Sequence, residues 1–447
     1  MSKINIFFIS ISAIFFVTGL YLLYTFKSNI TENIFQNISI IYVILFVFFI
    51  SLFCLFSIKL KETHKLQISI ILISCLIAVY SFEFYLSFIT NKINFQKGSK
   101  NKYEIVIEMN KNKQEAYLNI SPHLFIESNG LSSKNDRIFP LGGISNIYTV
   151  MENELGFIPT YKTDKFGFNN SNTNYENEIE YLLIGDSFVE GCCVYRKDNL
   201  SEKLNNLGYN SINLGKSGNG PLLELATFME YAPILKPKKI LWFYYPNDFK
   251  NLRNELSSDI LNKYLYDNEF SQKLILKQQA IDELLAEYLN LQEDTYNKKI
   301  REENFDVLFK NHWLTKIIKL TNIRLRFGLI NNQNDLSLDN FSKDIETLLR
   351  ILIKTKNISN QWNGELIFIY LPSIIQMNNM DRLKFHEELF DKIKKENIDV
   401  INIKKLIFDT HPNPLSLLSN DMGGHFNQIG YSLIAKEIHK TIIINLN

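Results

Sequence analysis

The chain has 447 residues, with 48 basic and 47 acidic side chains and a formal net charge of +1. A near-neutral chain without a basic stripe interleaved with aromatic residues argues against a nucleic-acid partner. At roughly 150 residues per domain, this length is too great for a single core and predicts two or three regions.

Three apolar runs open the chain, over Ile4–Phe26, Ser39–Leu60 and Leu66–Phe88. Each is nearly free of charge and long enough to cross a bilayer core, which takes about 20 helical residues. A buried helix of a soluble protein is the alternative for each run, but three in succession with polar hinges favour a membrane bundle. The first run is too long for a signal-peptide core, so we expect it to be retained. Residues 1–92 are therefore predicted to be a membrane region with three transmembrane helices.

Lysines near these runs predict the orientation in the membrane. One side would carry Lys3, Lys59, Lys61 and Lys65, and the other Lys27, Lys92, Lys97, Lys100 and Lys102. The positive-inside bias acts mainly through the first terminus and the short loops, so the first group carries more weight. We expect the N-terminus inside and the long C-terminal part outside the cytoplasm.

Residues 93–178 form a polar lead-in that is rich in Asn and Lys. Tyr103–Met109 is compatible with either a helix or a strand. Gly156–Tyr161 and Lys165–Phe168 mix turn residues with aromatic side chains of the kind found in cores. We expect this lead-in to pack on the domain that follows, residues 179–447.

The stretch from Tyr181 to Gly191 predicts a nucleophile. Tyr181–Ile184 is a short apolar run of the kind that forms a strand buried on both faces, and Gly185 ends it. Ser187 then stands at the carboxyl edge of a sheet, where α/β proteins bind ligands. Gly185 and Val189 flank it at minus two and plus two, so the Gly-x-Ser-x-Gly elbow is not matched. Strand-Gly-Asp-Ser resembles the first block of the SGNH (GDSL-type) serine esterases and acyltransferases, although Gly-Asp-Ser also makes an ordinary turn.

Three later segments resemble the remaining blocks of that family in the same order. They are Ser211–Pro221, a strand with a glycine-rich turn; Lys239–Tyr245 followed by Pro-Asn-Asp; and Asp421–Tyr431, with a histidine ahead of a C-terminal helix. The chain departs from the family at two points. Tyr245 stands where the third block usually has a glycine, and Asp421 lies four residues before His425 instead of three.

The resemblance implies a role for each matched residue. Ser187 would be the nucleophile, His425 its general base and Asp421 the acid that orients the imidazole. The oxyanion hole would be formed by the N–H groups of Ser187 and Gly218 and the side-chain amide of Asn247.

Two other residues compete for these roles. His411 is the alternative base, although a histidine in a proline-bounded loop is more often a surface residue. Cys193 is an alternative nucleophile, although packing behind the serine loop is the expected role of a buried cysteine. The four cysteines show neither a disulfide framework nor metal-ligand spacing, so no metal is predicted.

After Ser187, helices and strands alternate, which predicts parallel pairing through right-handed crossovers. Further strands are predicted at Glu365–Leu371 and Val400–Ile403, and a closing helix at Asn427–Ile444. The predicted fold class is α/β, a flavodoxin-like three-layer α/β/α sandwich with a five-stranded parallel sheet. Residues 250–363, between the third and fourth strands, are predicted to be a helical insertion that serves as a cap.

The predicted function is that of a membrane-anchored SGNH-type esterase or acyltransferase without a cofactor. The resemblance and the membrane helices together imply an O-acyl group, with acetyl the first choice, on a glycan or lipid-linked sugar, and the lipid bilayer as the other partner. Hydrolysis and acyl transfer both remain open. The alternative is a catalytically decayed SGNH scaffold that acts as a binding or assembly module, which the departures at Asp421 and Tyr245 would reflect.

Overall fold

The computed structural model describes residues 2–32, 38–91, 101–132, 137–289, 317–320, 323, 341–373, 380–419 and 424–446. The chain divides into two compact units. Unit 1 comprises Met1–Ile93 and Phe305–Gln333, and unit 2 comprises Asn94–Asn304 and Asn334–Asn447. Unit 1 thus takes in a part of the predicted insertion. The boundaries 1–92, 93–178 and 179–447 stay a prediction.

The helices of unit 1 are Lys3–Glu32 (α1), Ile38–Ser57 (α2) and Glu62–Asn91 (α3). Within the described residues, two stretches are long and apolar enough to cross a membrane, Lys3–Tyr21 and Glu62–Leu86, and the apolar stretch Ile44–Ser57 is shorter. Core helices and signal sequences can have the same length and composition. The prediction of three transmembrane helices, and of their orientation, therefore stays a prediction.

Polar side chains in unit 1 are hydrogen-bonded where they are buried, as an apolar surrounding requires. The hydroxyl of Ser12 donates to the carbonyl oxygen of Ser51 at 2.9 Å and so joins α1 to α2. The carboxylate of Glu83 in α3 is fully buried and accepts the backbone N–H of Ile323 at 2.8 Å.

Ten strands lie in the described part of unit 2. They are Ala116–Leu118 (β1), Leu131–Ser132 (β2), Arg137–Ile138 (β3), Tyr148–Val150 (β4), Thr160–Lys162 (β5), Tyr181–Ile184 (β6), Ser211–Asn213 (β7), Lys239–Tyr244 (β8), Glu365–Tyr370 (β9) and Asp399–Asn402 (β10).

The described helices of unit 2 connect and cover these strands. They are Lys102–Lys111 (α4), Ser187–Glu190 (α5), Leu200–Asn205 (α6), Pro221–Leu235 (α7), Asp248–Glu255 (α8), Asp259–Tyr266 (α9), 278–289 (α10), Phe341–Ser359 (α11), Met380–Lys395 (α12) and Gln428–Leu446 (α13).

The main sheet has five strands in the order β10-β9-β8-β6-β7, and every pair is parallel. Numbered along the chain, this is the order 2-1-3-4-5 of flavodoxin-like folds. The predicted α/β class and five-stranded sheet are confirmed. The strand order reverses between β6 and β8, and ligands of such sheets bind beyond the carboxyl ends of the strands at that point.

Side chains of the central strands alternate between two cores. Leu182 and Ile184 of β6 pack on the face covered by α7, α9 and α11. Tyr181 and Leu183 pack on the opposite face, with α6 and α13. Because both faces are covered, the whole of β6 is buried, which explains its uninterrupted apolar sequence.

The lead-in has its own small sheet, in which β1 pairs parallel with β4 and β4 antiparallel with β5. The ambiguous segment near Tyr103 is helix α4. A capping box fixes its start, because the Asn101 side chain accepts the Tyr103 N–H at 3.0 Å and Glu104 accepts the Asn101 N–H at 3.0 Å. Most of the described residues of the predicted insertion are helical, with 267–273 as a connection between helices. Asp282 of α10 accepts the Ser145 N–H at 2.9 Å.

Candidate active site

Ser187 is the first residue of the four-residue helix α5, which begins directly beyond the end of β6. A Cβ atom at Gly185 would lie 2.5 Å from a methyl carbon of Val189, so glycine lets the short helix fold back against the strand. The carboxylate of Asp186 accepts the Phe188 N–H at 2.9 Å and caps α5. These local contacts fix Ser187 at the carboxyl edge of the sheet.

His425 lies beside this serine. Its Nε2 atom is 2.7 Å from the Ser187 Oγ atom, although the two residues are 238 positions apart in the chain. The His425 carbonyl accepts the Ser419 N–H at 2.8 Å, and its ring centroid is 4.6 Å from that of Phe188. The predicted serine and base are thus brought together with a geometry suited to proton transfer.

The third member of this arrangement comes from the lead-in. Oε1 of Glu154 is 2.8 Å from Nδ1 of His425, and Oε2 accepts the His425 N–H at 3.0 Å and the Ser419 hydroxyl at 2.8 Å. Glu154 therefore orients the imidazole and holds the loop that carries it. The predicted acid, Asp421, lies outside the described residues.

Glu154 was not among the residues that the sequence predicted. It stands in the polar segment that follows β4, where no motif or periodicity distinguishes it from neighbouring acidic residues such as Glu152. The one usable signal was the prediction that the lead-in packs on the domain carrying Ser187.

The charges of this pair stabilise each other. Burial raises the pKa of Glu154, but its hydrogen bonds and the charge of His425 outweigh burial and lower the pKa to about 2. Burial lowers the pKa of His425, but the hydrogen bonds that its ring donates to Cys192 and Glu154, together with the Glu154 charge, raise the pKa well above 6.5. The neutral imidazole that a general base requires therefore becomes more abundant as the pH rises.

The two competing residues lie elsewhere. Nδ1 of His411 accepts the N–H of Asn413 at 3.1 Å, a contact within its own loop. Cys193 is fully buried, and its Sγ atom is 3.9 Å from Nδ1 of His425, on the side of the ring away from the Nε2 contact with Ser187. This location agrees with the packing interpretation of Cys193.

The predicted oxyanion donors follow three adjacent parallel strands, β6, β7 and β8, and so belong to one edge of the sheet. Within the described residues, the N–H groups of Ser187 and Gly218 donate to no acceptor. Gly218 has φ of +77°, and a Cβ atom there would lie 2.2 Å from Nδ1 of His123. The turn thus requires glycine.

Asn247 precedes α8, and its exposed side chain makes no hydrogen bond with any described residue. Tyr245, at the position of the family's usual glycine, places its ring 4.3 Å from that of Phe188. Its N–H donates to Asp248 at 2.9 Å and closes the turn. The Tyr245 ring therefore packs the loop that carries Asn247 against α5, the helix that begins with Ser187.

A buried ion pair at α5, between Glu190 and Lys216, was also not predicted from the sequence. Glu190, the last residue of α5, accepts the Lys216 ammonium at 2.5 Å, the Tyr161 hydroxyl at 2.9 Å and the Ser217 N–H at 2.7 Å. Asn119 bonds both Glu190 and Lys216. This network ties the turn that carries Gly218 to the serine helix and to the lead-in.

Comparisons with known proteins do not assign a function to this chain, so any functional assignment rests on the geometry of the site. No protein-family model matches the sequence. The chain is similar to the chaperone SurA of Buchnera aphidicola subsp. Acyrthosiphon pisum (strain APS), with 27% identity over 201 residues. That match covers 37% of this chain and 46% of SurA, so the chain spans less than half the length of this relative.

Among solved structures, the chain is similar to the lipase/acylhydrolase from Enterococcus faecalis. The identity is 15% and the TM-score 0.32, with 59% of this chain and 95% of that chain covered. A TM-score this low assigns neither fold nor function. The fold of this protein therefore rests on its own sheet topology.

Proposed function

We propose that this protein is a membrane-anchored serine hydrolase of the SGNH/GDSL type that cleaves or transfers an O-acyl group. The observation that carries the proposal is the position of the His425 imidazole between Ser187, at 2.7 Å, and Glu154, at 2.8 Å. A serine hydroxyl is a poor nucleophile, and an oriented imidazole is the group that activates it.

In the proposed reaction, Nε2 of His425 accepts the Ser187 proton as Oγ attacks the ester carbonyl. Glu154 stabilises the imidazolium, which then gives the proton to the departing alcohol. The N–H groups of Ser187 and Gly218 and the amide of Asn247 would bind the oxyanion of the tetrahedral intermediate. Water resolves the acyl-enzyme in hydrolysis, and a sugar hydroxyl resolves it in transfer.

The substrate part of the proposal rests on the family resemblance and on the apolar helices of unit 1. Two of these helices have the length and composition to cross a membrane. The helices support a location at a membrane surface. The resemblance supports an acylated glycan or lipid-linked sugar as substrate, with acetyl as the first acyl group to test, and we place the catalytic unit outside the cytoplasm.

A decayed scaffold is the alternative, suggested by the departures at Asp421 and Tyr245. The geometry gives each departure another explanation. Glu154 occupies the position next to Nδ1 of His425, and the Tyr245 ring packs on Phe188. Both observations favour an enzyme over a binding module.

Covalent labelling tests the proposal directly. We expect a fluorophosphonate probe to label the full chain in detergent at Ser187, and an aryl acetate to be hydrolysed by wild type and not by Ser187→Ala. Labelling at another residue would contradict the assignment of the nucleophile. A folded wild-type protein with neither labelling nor turnover would favour the scaffold.

A further inference from the structure

Behind the catalytic imidazole, four potential metal ligands converge. The side-chain donor atoms of Glu154, Cys192, Cys193 and His425 all lie within 4.8 Å of one another. Both thiols are buried, with Cys192 4% and Cys193 0% exposed, and neither cysteine is in a disulfide. The imidazole contributes Nδ1, because Nε2 faces Ser187.

The spacing of these atoms suits a tetrahedral zinc ion. Bonds of about 2.3 Å to sulfur and about 2.0–2.2 Å to nitrogen or oxygen give ligand-to-ligand distances of about 3.3–3.8 Å. Cys193 Sγ is 3.9 Å from His425 Nδ1, and Glu154 Oε1 is 2.8 Å from the same nitrogen. Shifts of less than about 1 Å would close the four ligands around one ion.

The backbone at the cysteines is unusual in a way that supports a site. Gly191 ends α5 with φ of +82°, and Cys193 also has a positive φ, +74°, which side chains other than glycine rarely adopt. Such strain persists where the surrounding structure imposes it, and it is concentrated at functional sites. Here the turn brings the two adjacent thiols within 4.8 Å of each other and of the imidazole donor atom.

We infer that Glu154, Cys192, Cys193 and His425 together bind a divalent cation such as Zn²⁺. The bound ion would inhibit the reaction of Ser187. The ion would take the Nδ1 lone pair and draw the Glu154 carboxylate to itself, with release of the two thiol protons. A neutral imidazole that binds a metal through Nδ1 carries its proton on Nε2, so Nε2 has no lone pair left to accept the Ser187 proton.

All four coordination positions would be filled by protein, as in zinc sites that do not activate water. The ion is therefore an inhibitor and not a catalyst. The inhibition rests on the proposed function, whereas the binding does not.

The test uses the full chain in detergent and reads binding separately from activity. Cd²⁺ should give an ultraviolet thiolate-to-metal charge-transfer band that saturates at one ion per chain, and Zn²⁺ should displace it. Cys192→Ser and Cys193→Ser should each weaken binding by at least about tenfold, because each removes one of the ligands that zinc prefers. Cys75→Ser, which changes an exposed cysteine of unit 1, should bind like wild type.

Glu154→Gln keeps the test valid if a cysteine variant fails to fold, because it removes one ligand without altering the cysteine loop. It should also weaken Cd²⁺ binding. Absence of the thiolate band in wild type, or equal affinity in all folded variants, would overturn the site.

Turnover of an aryl acetate supplies the second readout. Zn²⁺ should abolish wild-type turnover over the same concentration range as it binds, and a chelator should restore it. Stimulation by Zn²⁺, or full activity with the site occupied, would overturn the inhibition. Metal binding in a folded wild type without esterase activity would uphold the site and overturn both the inhibition and the proposed function.

Discussion

Two charged pairs flank the helix that begins with Ser187, and they differ in their access to solvent. The side chains of Lys216 and Glu190 are 1% and 0% exposed, whereas those of His425 and Glu154 are 18% and 25% exposed. The first pair is surrounded by further hydrogen bonds from neighbouring groups. The second joins a titratable imidazole to the serine. The buried Lys216–Glu190 pair therefore has a structural role, whereas the His425–Glu154 pair is suited to proton transfer.

The chemistry of the cations supports this division. An ammonium group does not change its charge near neutral pH, whereas an imidazole does. Burial raises the pKa of Glu190, but the charge and hydrogen bond of Lys216 outweigh burial and lower it. Glu190 thus stays a carboxylate that holds the turn of Gly218, while Glu154 stabilises a charge on His425 that would come and go during turnover.

The largest expected effect is that of Glu154→Gln, which keeps the size of the side chain but removes its charge. Loss of the carboxylate that orients a catalytic imidazole lowers kcat by about 10⁴-fold. The measurement is steady-state turnover of an aryl acetate, with Asp421→Asn as the matched variant. A comparable loss in Asp421→Asn together with near-normal turnover in Glu154→Gln would return the role to Asp421.

Glu190→Gln is expected to act on stability, because it leaves the Lys216 ammonium buried without its counter-charge. Breaking a buried pair in this way costs about 3–5 kcal/mol of the free energy of unfolding, measured by denaturant titration. Glu178→Gln is the control. Its pair with Lys238 is exposed (72% and 52%), and solvent screens such a pair, so its loss should leave the free energy of unfolding nearly unchanged. Equal effects of the two substitutions would remove the distinction between the buried pair and an ordinary surface pair.

Asn247→Ala tests whether the third block supplies an oxyanion donor. Loss of one such donor lowers kcat by about 100- to 1000-fold with little change in KM, and the thermal melt should not move. Asn254→Ala changes another exposed asparagine, on α8, and should keep wild-type turnover. If Asn247→Ala has wild-type turnover as well, the oxyanion is held by backbone donors alone.

The smallest effect concerns pH. Because its contacts with Cys192 and Glu154 raise the pKa of His425, the acidic limb of kcat/KM in wild type should have its midpoint above 6.5, and activity should rise with pH. Glu154→Gln should move this limb to lower pH in its residual activity. Glu152→Gln, at a 62% exposed carboxylate two positions away, should not. If the acidic limb of kcat/KM stays at the same pH in Glu154→Gln, a group other than His425 is responsible for it.

The same pKa shifts predict opposite trends in stability. The lowered pKa of Glu154 contributes stability above its usual pKa of 4.5, and this contribution is lost as the pH falls towards 2. The raised pKa of His425 contributes stability below 6.5, and this contribution is lost as the pH rises through the folded-state value. The pair therefore contributes most to the free energy of unfolding between pH 4.5 and 6.5.

The sequence determined the sheet because its signals are local. The three central strands, β6, β8 and β9, are short apolar runs. The predicted bounds of β10, Val400–Ile403, differ by one residue at each end from Asp399–Asn402. Ser187 and His425 could be located for the same reason, since each lies in a short motif next to a strand or helix end. The approach of these two residues was implied by the family resemblance.

The carboxylate that contacts the imidazole could be identified only from the folded chain. Glu154 and His425 are 271 residues apart, and their contact depends on how the loop after β4 lies against the loop before α13. Neither loop has a periodicity that would reveal this approach. The Glu190–Lys216 pair and the convergence of Cys192 and Cys193 on His425 were hidden for the same physical reason. Hydrophobic patterns specify which face of an element is buried, whereas polar contacts between distant loops arise only from the packing of the folded chain.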